Sequence, residues 1–170
     1  DSGVASSAGW RPGSIRDARK WTTGFHAIEV LNGGSHDEFE GFWFDLLHRG
    51  FVTTPVGVSD SHSHSGGNLG TSVTWLGAGV DDPSALDSDG LREAMFARRT
   101  VASRGPFVLL DPAPGSTVAG NTTLQVEARS PSWIRVDRLR LLRDGTEVDR
   151  IEGTSGSFLL NPEADAAYVV

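Results

Sequence analysis

The chain has 170 residues, enough for one domain or for one and a half, and a composition (38% hydrophobic, 22% charged) typical of a globular protein with a buried core. Its formal net charge of -7 argues against nonspecific binding to nucleic acid or to anionic membranes, because both require patches of lysine and arginine. It contains no cysteine, which excludes disulfides and thiolate chemistry, and no apolar run approaches the roughly 20 residues of a membrane helix.

The chain opens with a segment of weak structural signals. Residues 1–24 are rich in glycine, serine and arginine, and they predict a surface segment with one short helix near residues 14–21. Residues 25–32 (FHAIEVLN) carry Ile28 and Val30 in an alternating pattern, which predicts a strand. The Gly-Gly pair that follows predicts a sharp turn.

The clearest predicted element is an amphipathic helix after this turn. Ser35 and Glu38 match a capping box, and Gly50 is a typical helix stop. Between them, apolar residues recur at the spacing of a core-facing helix: Phe39, Phe42, Trp43, Leu46 and Leu47. A second strand is predicted over residues 51–58, so the order strand, helix, strand indicates a β-α-β unit with parallel strands.

The remainder of the chain predicts a change of architecture near Gly105-Pro106. Residues 72–76 predict a short strand, and Asp87 or Ser88 is suited to cap a helix. From Phe107 onward apolar and polar residues alternate, and Asp144-Gly145 predicts a hairpin. We therefore expect a first domain over residues 1–106 and an all-β, sandwich-like module over 107–170, which we expect to be incomplete.

The strongest functional signal is the segment GVSDSHSHSGG, which directly follows the second strand. In an extended chain alternate side chains point the same way, so Asp60, His62 and, if the chain stays extended, His64 are predicted to project together. Carboxylate oxygen and neutral imidazole nitrogen suit Zn, Mn or Fe(II). In parallel α/β folds ligands bind at the carboxyl ends of strands, which favours a metal site here; the alternative is a solvated polar loop. Two ligands do not complete such a site.

Other polar side chains leave alternatives open. Glu29 could orient a metal ligand through a hydrogen bond, although a salt bridge to a neighbouring strand is the favoured interpretation. Asn32 ends the first strand and could face the site, and His64 could contact substrate or metal, although a solvated position is favoured for it. The remaining histidines are interpreted as structural: His26 by packing, His36 at the start of the helix and His48 as a cation at its end.

Four stretches, taken in order, resemble the C-terminal half of a PHP (polymerase and histidinol phosphatase) domain, and most closely that of the CehA/McbA-type metallohydrolases. They are AIEVLNGG, a helix ending in LLHRG, VGVSDSHSHSGGNLGTSVTW, and LREAMFARRTVASRGPF. The resemblance covers residues 25–108. It implies an α/β fold, the C-terminal part of a distorted seven-stranded β/α barrel that holds two or three metals at its C-terminal face. Asp60 and His62 match the last metal motif of the family.

The resemblance also shows what this chain lacks. The opening His-x-His motif of the family and its middle Glu and His ligands have no match here. We therefore expect the segment to be cut from a longer protein, to require the missing N-terminal half of the barrel as a partner, and to be inactive alone.

The functional expectation is a metal-dependent hydrolase. It would use metal-activated water on a phosphoester, carbamate, ester or amide bond of a small-molecule substrate, and its catalytic residues are unknown. The alternative is a non-catalytic PHP remnant whose β module binds carbohydrate or protein, with Trp133 either an exposed platform or part of the core. Neither nucleic acid nor membrane is an expected partner. The sequence does not fix a compartment, with a secreted or periplasmic one slightly favoured.

Overall fold

The computed structural model describes residues 10–11, 14–15, 18–20, 22–33, 37–65, 67–162 and 164–170. The chain is a mixed α and β protein, with more strand than helix, and the sheets of the described residues are open and do not close into a barrel. It divides into two compact units, Asp1–Arg104 and Gly105–Val170. In the described part, no helix is both long and apolar enough to cross a membrane.

The described residues of the first unit form six strands and two α-helices: β1 (Trp10–Arg11), β2 (Ser14–Ile15), β3 (Ala27–Asn32), α1 (Asp37–His48), β4 (Thr54–Val58), β5 (Val73–Leu76), α2 (Ser88–Phe96) and β6 (Thr100–Ser103). Short 3-10 turns lie at Ala18–Lys20 and Pro83–Ala85. The predicted helix over residues 14–21 is wrong in its first part, because β2 pairs antiparallel with β1. The sequence Pro-Gly between these two strands is a turn signal that favours this pairing over a helix.

The predicted β-α-β unit is confirmed. Strands β3 and β4 pair in parallel, from Ala27 opposite Thr54 to Asn32 opposite Val58, and α1 connects them. The strand pairing begins at Thr54 and not at residue 51, and the Phe51 N–H donates instead to the Leu46 carbonyl at 2.9 Å. The proposed capping residue Ser35 lies outside the described residues.

Helix α1 and strand β3 form the core of the first unit. The buried side chains of this core are Ile28, Val30, Phe42, Trp43, Leu46 and Leu47. Each fully buried side chain of this kind stabilises a fold by about 1.5–3 kcal/mol. The indole Nε1 of Trp43 donates to the carbonyl of Thr53 at 3.2 Å, which ties the helix to the approach of β4. Gly50 ends the helix with φ +79, as expected for a C-terminal stop.

Strands β5 and β6 pair antiparallel, with Val73 opposite Ser103, and pack against β4. Threonine side chains make the junction. Thr100 Oγ1 donates to Pro55 O at 2.9 Å, and Thr54 Oγ1 donates to the carbonyl of Met95 at 2.7 Å. The hydroxyl of Thr74 accepts from the Gly57 N–H and donates to the Gly57 carbonyl, both at 2.9 Å.

In the second unit, the part of the chain that the structure describes contains six antiparallel strands: β7 (Phe107–Asp111), β8 (Thr122–Arg129), β9 (Arg138–Arg143), β10 (Thr146–Glu152), β11 (Ser155–Leu160) and β12 (Tyr168–Val169). They form two three-stranded sheets, ordered β11-β8-β7 and β10-β9-β12. Both sheets contribute to one buried cluster: Leu124, Val126, Ala128, Leu139, Leu141, Phe158 and Leu160. The predicted hairpin is confirmed, since Asp144 and Gly145 join β9 to β10 with φ values of 49 and 81.

Candidate functional site

Asp60 and His62 lie just beyond the carboxyl end of β4, and their side chains meet. His62 Nε2 is 3.0 Å from Asp60 Oδ1, and the two side chains are 87% and 51% exposed. The predicted cause of this contact is wrong, because the strand ends at Val58 and Asp60 has a φ of 49. Aspartate is among the few residues that tolerate this left-handed conformation. A local reversal at Asp60, and not an extended run, therefore accompanies the contact.

His64 does not join this pair. The expectation that it projects with Asp60 and His62 required an extended chain, but residues 63–65 form a bend and turn. The Ser61 hydroxyl donates to the Ser63 carbonyl at 3.2 Å, which folds the chain locally. His64 is exposed, and in the part of the chain that the structure describes no contact connects it to the pair.

Glu29 and Asn32 form a separate polar pair on β3. Asn32 Nδ2 donates to Glu29 Oε2 at 2.7 Å in a partly buried setting. Residues three apart on a regular strand point to opposite faces, but the pairing of β3 with β4 is irregular between Glu29 and Leu31, which accommodates this contact. Among the described residues, the partner of Glu29 is Asn32, and the favoured salt bridge to a neighbouring strand is not seen.

Gly33 forms a sharp backbone corner next to the segment that carries Asp60 and His62. Gly33, with φ +48, is buried, and its N–H donates to the Val58 carbonyl at 3.0 Å. Its carbonyl accepts hydrogen bonds from Arg104 Nη2 at 2.7 Å and from Ser72 Oγ at 3.5 Å. A side chain added at Gly33 would meet Ser59 O at 3.4 Å and the Asn68 amide at 3.5 Å. We call residues 59–72 the histidine loop; Gly33 hydrogen-bonds to Val58, directly before this loop, and to Ser72 at its end.

Sequence reasoning marked the turn at Gly33 but missed Arg104 and Ser72. The Gly-Gly pair after β3 is a visible signal of close backbone approach. Arg104 carries no such signal, because it lies 71 positions along the chain from Gly33 and the contact depends on the packing of β6.

The other histidines lie away from Asp60. His26 directly precedes β3, and its ring packs edge-on against the Phe96 ring with centroids 4.5 Å apart, in agreement with the packing interpretation. His48 is the exposed last residue of α1, which leads to the amino end of β4. His36 lies outside the described residues.

The distance between Asp60 Oδ1 and His62 Nε2 fits that between two neighbouring ligand atoms of one metal ion. Two atoms that each ligate one ion at about 2.1 Å stand roughly 3.0–3.4 Å apart when the angle at the ion is between octahedral and tetrahedral. The observed 3.0 Å meets this requirement. The same distance also suits an ordinary exposed Asp–His hydrogen bond, which contributes little to stability.

No group of three or more metal-ligating side chains occurs in the described part of the chain, so further ligands would come from elsewhere. Comparisons with protein-family models, curated proteins and solved structures found no match to the chain, and the PHP resemblance rests on its sequence motifs alone.

Proposed function

We propose that this chain is part of a metal-dependent hydrolase of the PHP type, in which Asp60 and His62 bind a divalent ion, either Zn, Mn or Fe. The observation that carries the proposal is the 3.0 Å contact between a carboxylate and an imidazole at the carboxyl end of a strand in a parallel pair. In this proposal the unit of β3, α1 and β4 belongs to a distorted seven-stranded β/α barrel. The N-terminal half of that barrel supplies the remaining ligands.

In this proposal both Asp60 and His62 are metal ligands, and neither attacks the substrate. When bound, a divalent ion would lower the pKa of a coordinated water to near neutral and polarise the scissile phosphoester, carbamate, ester or amide group. Asp60 supplies negative charge that offsets the charge of the ion, and His62 can ligate only in its unprotonated form. Protons therefore compete with the metal at this site, and metal binding should weaken as the pH falls.

The proposal does not fix the charge of the small-molecule substrate. The net charge of -7 does not favour a highly anionic substrate across the whole chain. A cluster of divalent ions would outweigh that charge locally. A panel of phosphoesters, carbamates, esters and amides is therefore the appropriate first screen.

The test is elemental analysis of the intact protein, combined with turnover of this panel. Asp60→Ala and His62→Ala should each lower the metal content and the hydrolysis rate, while leaving the unfolding midpoint nearly unchanged because both side chains are exposed. His48→Ala is the matched control, since it removes an exposed histidine at the other end of β4. Wild-type metal stoichiometry and activity in both site variants would refute the proposal.

A second candidate, a binding role for the β module, is favoured by Trp133. Its residue surface is 82% exposed, so it lies on the surface and not in the core. Hydrogen bonds close the loop that carries it: Ser130 Oγ donates to Ile134 O and the Ile134 N–H donates to Pro131 O, each at 2.9 Å. An exposed indole can stack on a sugar ring or on a partner side chain.

Binding of the chain to a carbohydrate array tests this second candidate. It predicts a signal that Trp133→Ala abolishes and that Asp60→Ala leaves intact. Such a signal from a protein that binds no metal would favour the non-catalytic remnant. A signal that survives Trp133→Ala would eliminate the indole as the binding platform.

A further inference from the structure

We propose that Arg104 is a positioning residue for the candidate metal site and that it acts through the carbonyl of Gly33. This inference rests on the proposed function. Its observation is a chain of hydrogen bonds: Arg104 Nη2 donates to Gly33 O at 2.7 Å, and the Gly33 N–H donates to the carbonyl of Val58, two residues before Asp60, at 3.0 Å. Arg104 therefore connects the end of β6 to the base of the histidine loop.

The Arg104 contact is a strong one for a backbone carbonyl. A hydrogen bond from a guanidinium is charge-assisted and roughly twice as strong as one between neutral groups. It is partly buried, which limits competition from water. Gly33 holds a left-handed conformation that most residues avoid, and its carbonyl direction follows from that conformation. Arg104 thus holds a backbone geometry that the local sequence alone does not enforce.

The histidine loop is closed at its base by this corner. At one end of the loop, the Gly33 N–H donates to the carbonyl of Val58, the residue that precedes Ser59. At the other end, the Ser72 hydroxyl donates to the Gly33 carbonyl. The Thr71 hydroxyl and N–H both contact the Asn68 carbonyl, at 2.8 and 3.1 Å, which shapes the returning end. A loop of this kind, whose ends meet and whose own side chains close it, is a compact unit that commonly carries function.

The position of Asp60 in this loop is what gives Arg104 its role. Asp60 lies two residues beyond Val58, whose carbonyl accepts from the Gly33 N–H, so this hydrogen bond limits where the Asp60 backbone can lie. The ladder between β5 and β6 ends at Ser103, so Arg104 lies outside it. Removing this side chain should therefore loosen the loop and its metal ligands while leaving the strands in place.

The test compares Arg104→Ala and Arg104→Lys in the intact protein with Arg92→Ala. Arg92 is the matched control, because its partner is the exposed Asp89 at 3.1 Å on α2. The measurements are the Zn²⁺ dissociation constant by chelator competition and hydrogen exchange of amides in residues 59–72. Partners that orient metal ligands typically contribute 10–100-fold in metal affinity. Arg104→Ala should weaken Zn²⁺ binding about tenfold and accelerate exchange in the loop, and Arg104→Lys should restore part of both.

Two outcomes would overturn the inference. One is unchanged Zn²⁺ affinity and unchanged loop exchange in Arg104→Ala. The other is an equal loss in the Arg92→Ala control. If Arg104→Ala does not fold, Arg104→Lys and Ser72→Ala, which removes the second donor to Gly33 O, decide the same question. If the wild-type protein binds no Zn²⁺, the proposed function fails, and loop exchange in the variants still reports separately whether Arg104 holds the loop.

Discussion

Replacement of Gly57 by alanine should disrupt the junction between β4 and β5. A Cβ at this position would lie 2.5 Å from the carbonyl oxygen of Val73, and 3.2 and 3.3 Å from its carbonyl carbon and nitrogen. These atoms belong to the backbone of β5, so no side chain can rotate away to make room. Contact with the nearest atom becomes ordinary only near 3.4 Å, which requires the strands to separate by roughly 0.9 Å.

The size of the effect follows from what this separation breaks. The Thr74 hydroxyl makes two hydrogen bonds to Gly57, and each contributes about 1 kcal/mol. Overpacking of a well-packed site adds about 1–3 kcal/mol. The lower conformational entropy of alanine in the unfolded chain offsets about 0.4–1 kcal/mol. We therefore expect a net loss of about 2–5 kcal/mol, a large part of the 5–15 kcal/mol that usually separates folded from unfolded domains.

The assay must report on the first unit separately, because two compact units need not unfold together. Hydrogen exchange of the amides in β4 and β5, followed in increasing urea, gives a local free energy of opening. Gly67→Ala is the matched control, since nothing lies within 4 Å of its added Cβ. Wild-type protection of β4 and β5 in Gly57→Ala would refute the reasoning, as would an equal loss in the control.

Four further changes test interactions within each of the two units. Thr53→Val should stabilise the first unit by about 1 kcal/mol, because the buried Thr53 hydroxyl has no hydrogen-bond partner in the described part of the chain. Thr54→Val should destabilise the first unit by a similar amount, because the Thr54 hydroxyl donates to Met95 O. Urea midpoints that shift equally in the two variants would contradict both expectations. Gly145→Val should destabilise the second unit by about 1 kcal/mol or more, since its φ is +81, and an unchanged melting temperature would contradict this. The hydrogen bond from Arg150 lowers the pKa of Glu147 in the folded protein. The ionised Glu147 side chain therefore contributes its full stability above the ordinary carboxyl pKa, and this stability is lost as the pH falls through the lowered pKa. Glu147→Gln should reduce the decrease in urea midpoint that accompanies acidification.

Local sequence patterns predicted the regular elements of the fold. The helical spacing that ends at Leu46 and Leu47 predicted α1, and the short connections on either side of it predicted the parallel pair. Asp87 caps α2 as expected, by accepting from the Gly90 N–H at 2.7 Å. These features depend on residues within a few positions of one another, and for that reason one sequence is enough to infer them.

The geometry around Asp60 and His62 could be predicted only in part. The sequence predicted that the two side chains lie together at a strand end, but it predicted an extended chain where Asp60 has a positive φ. The backbone angle of a loop residue depends on where the ends of the loop are held, and here they are held by Gly33. The contact between Gly33 and Arg104 joins residues 71 positions apart, and no local pattern encodes such a contact.

Backbone packing at Gly57 also acts on the start of the histidine loop. Gly57 allows β5 to approach β4, and three residues later Asp60 begins the candidate site. If Asp60 and His62 bind a metal as proposed, the motif VGVSD-x-H combines a packing glycine with a pair of ligands, and a change in the first should reach the second through the backbone. Gly57→Ala should consequently lower metal content and stability together, whereas Asp60→Ala should lower metal content alone. Gly57→Ala protein that retains full metal stoichiometry after losing protection in β5 would show that the ligand pair does not depend on this junction.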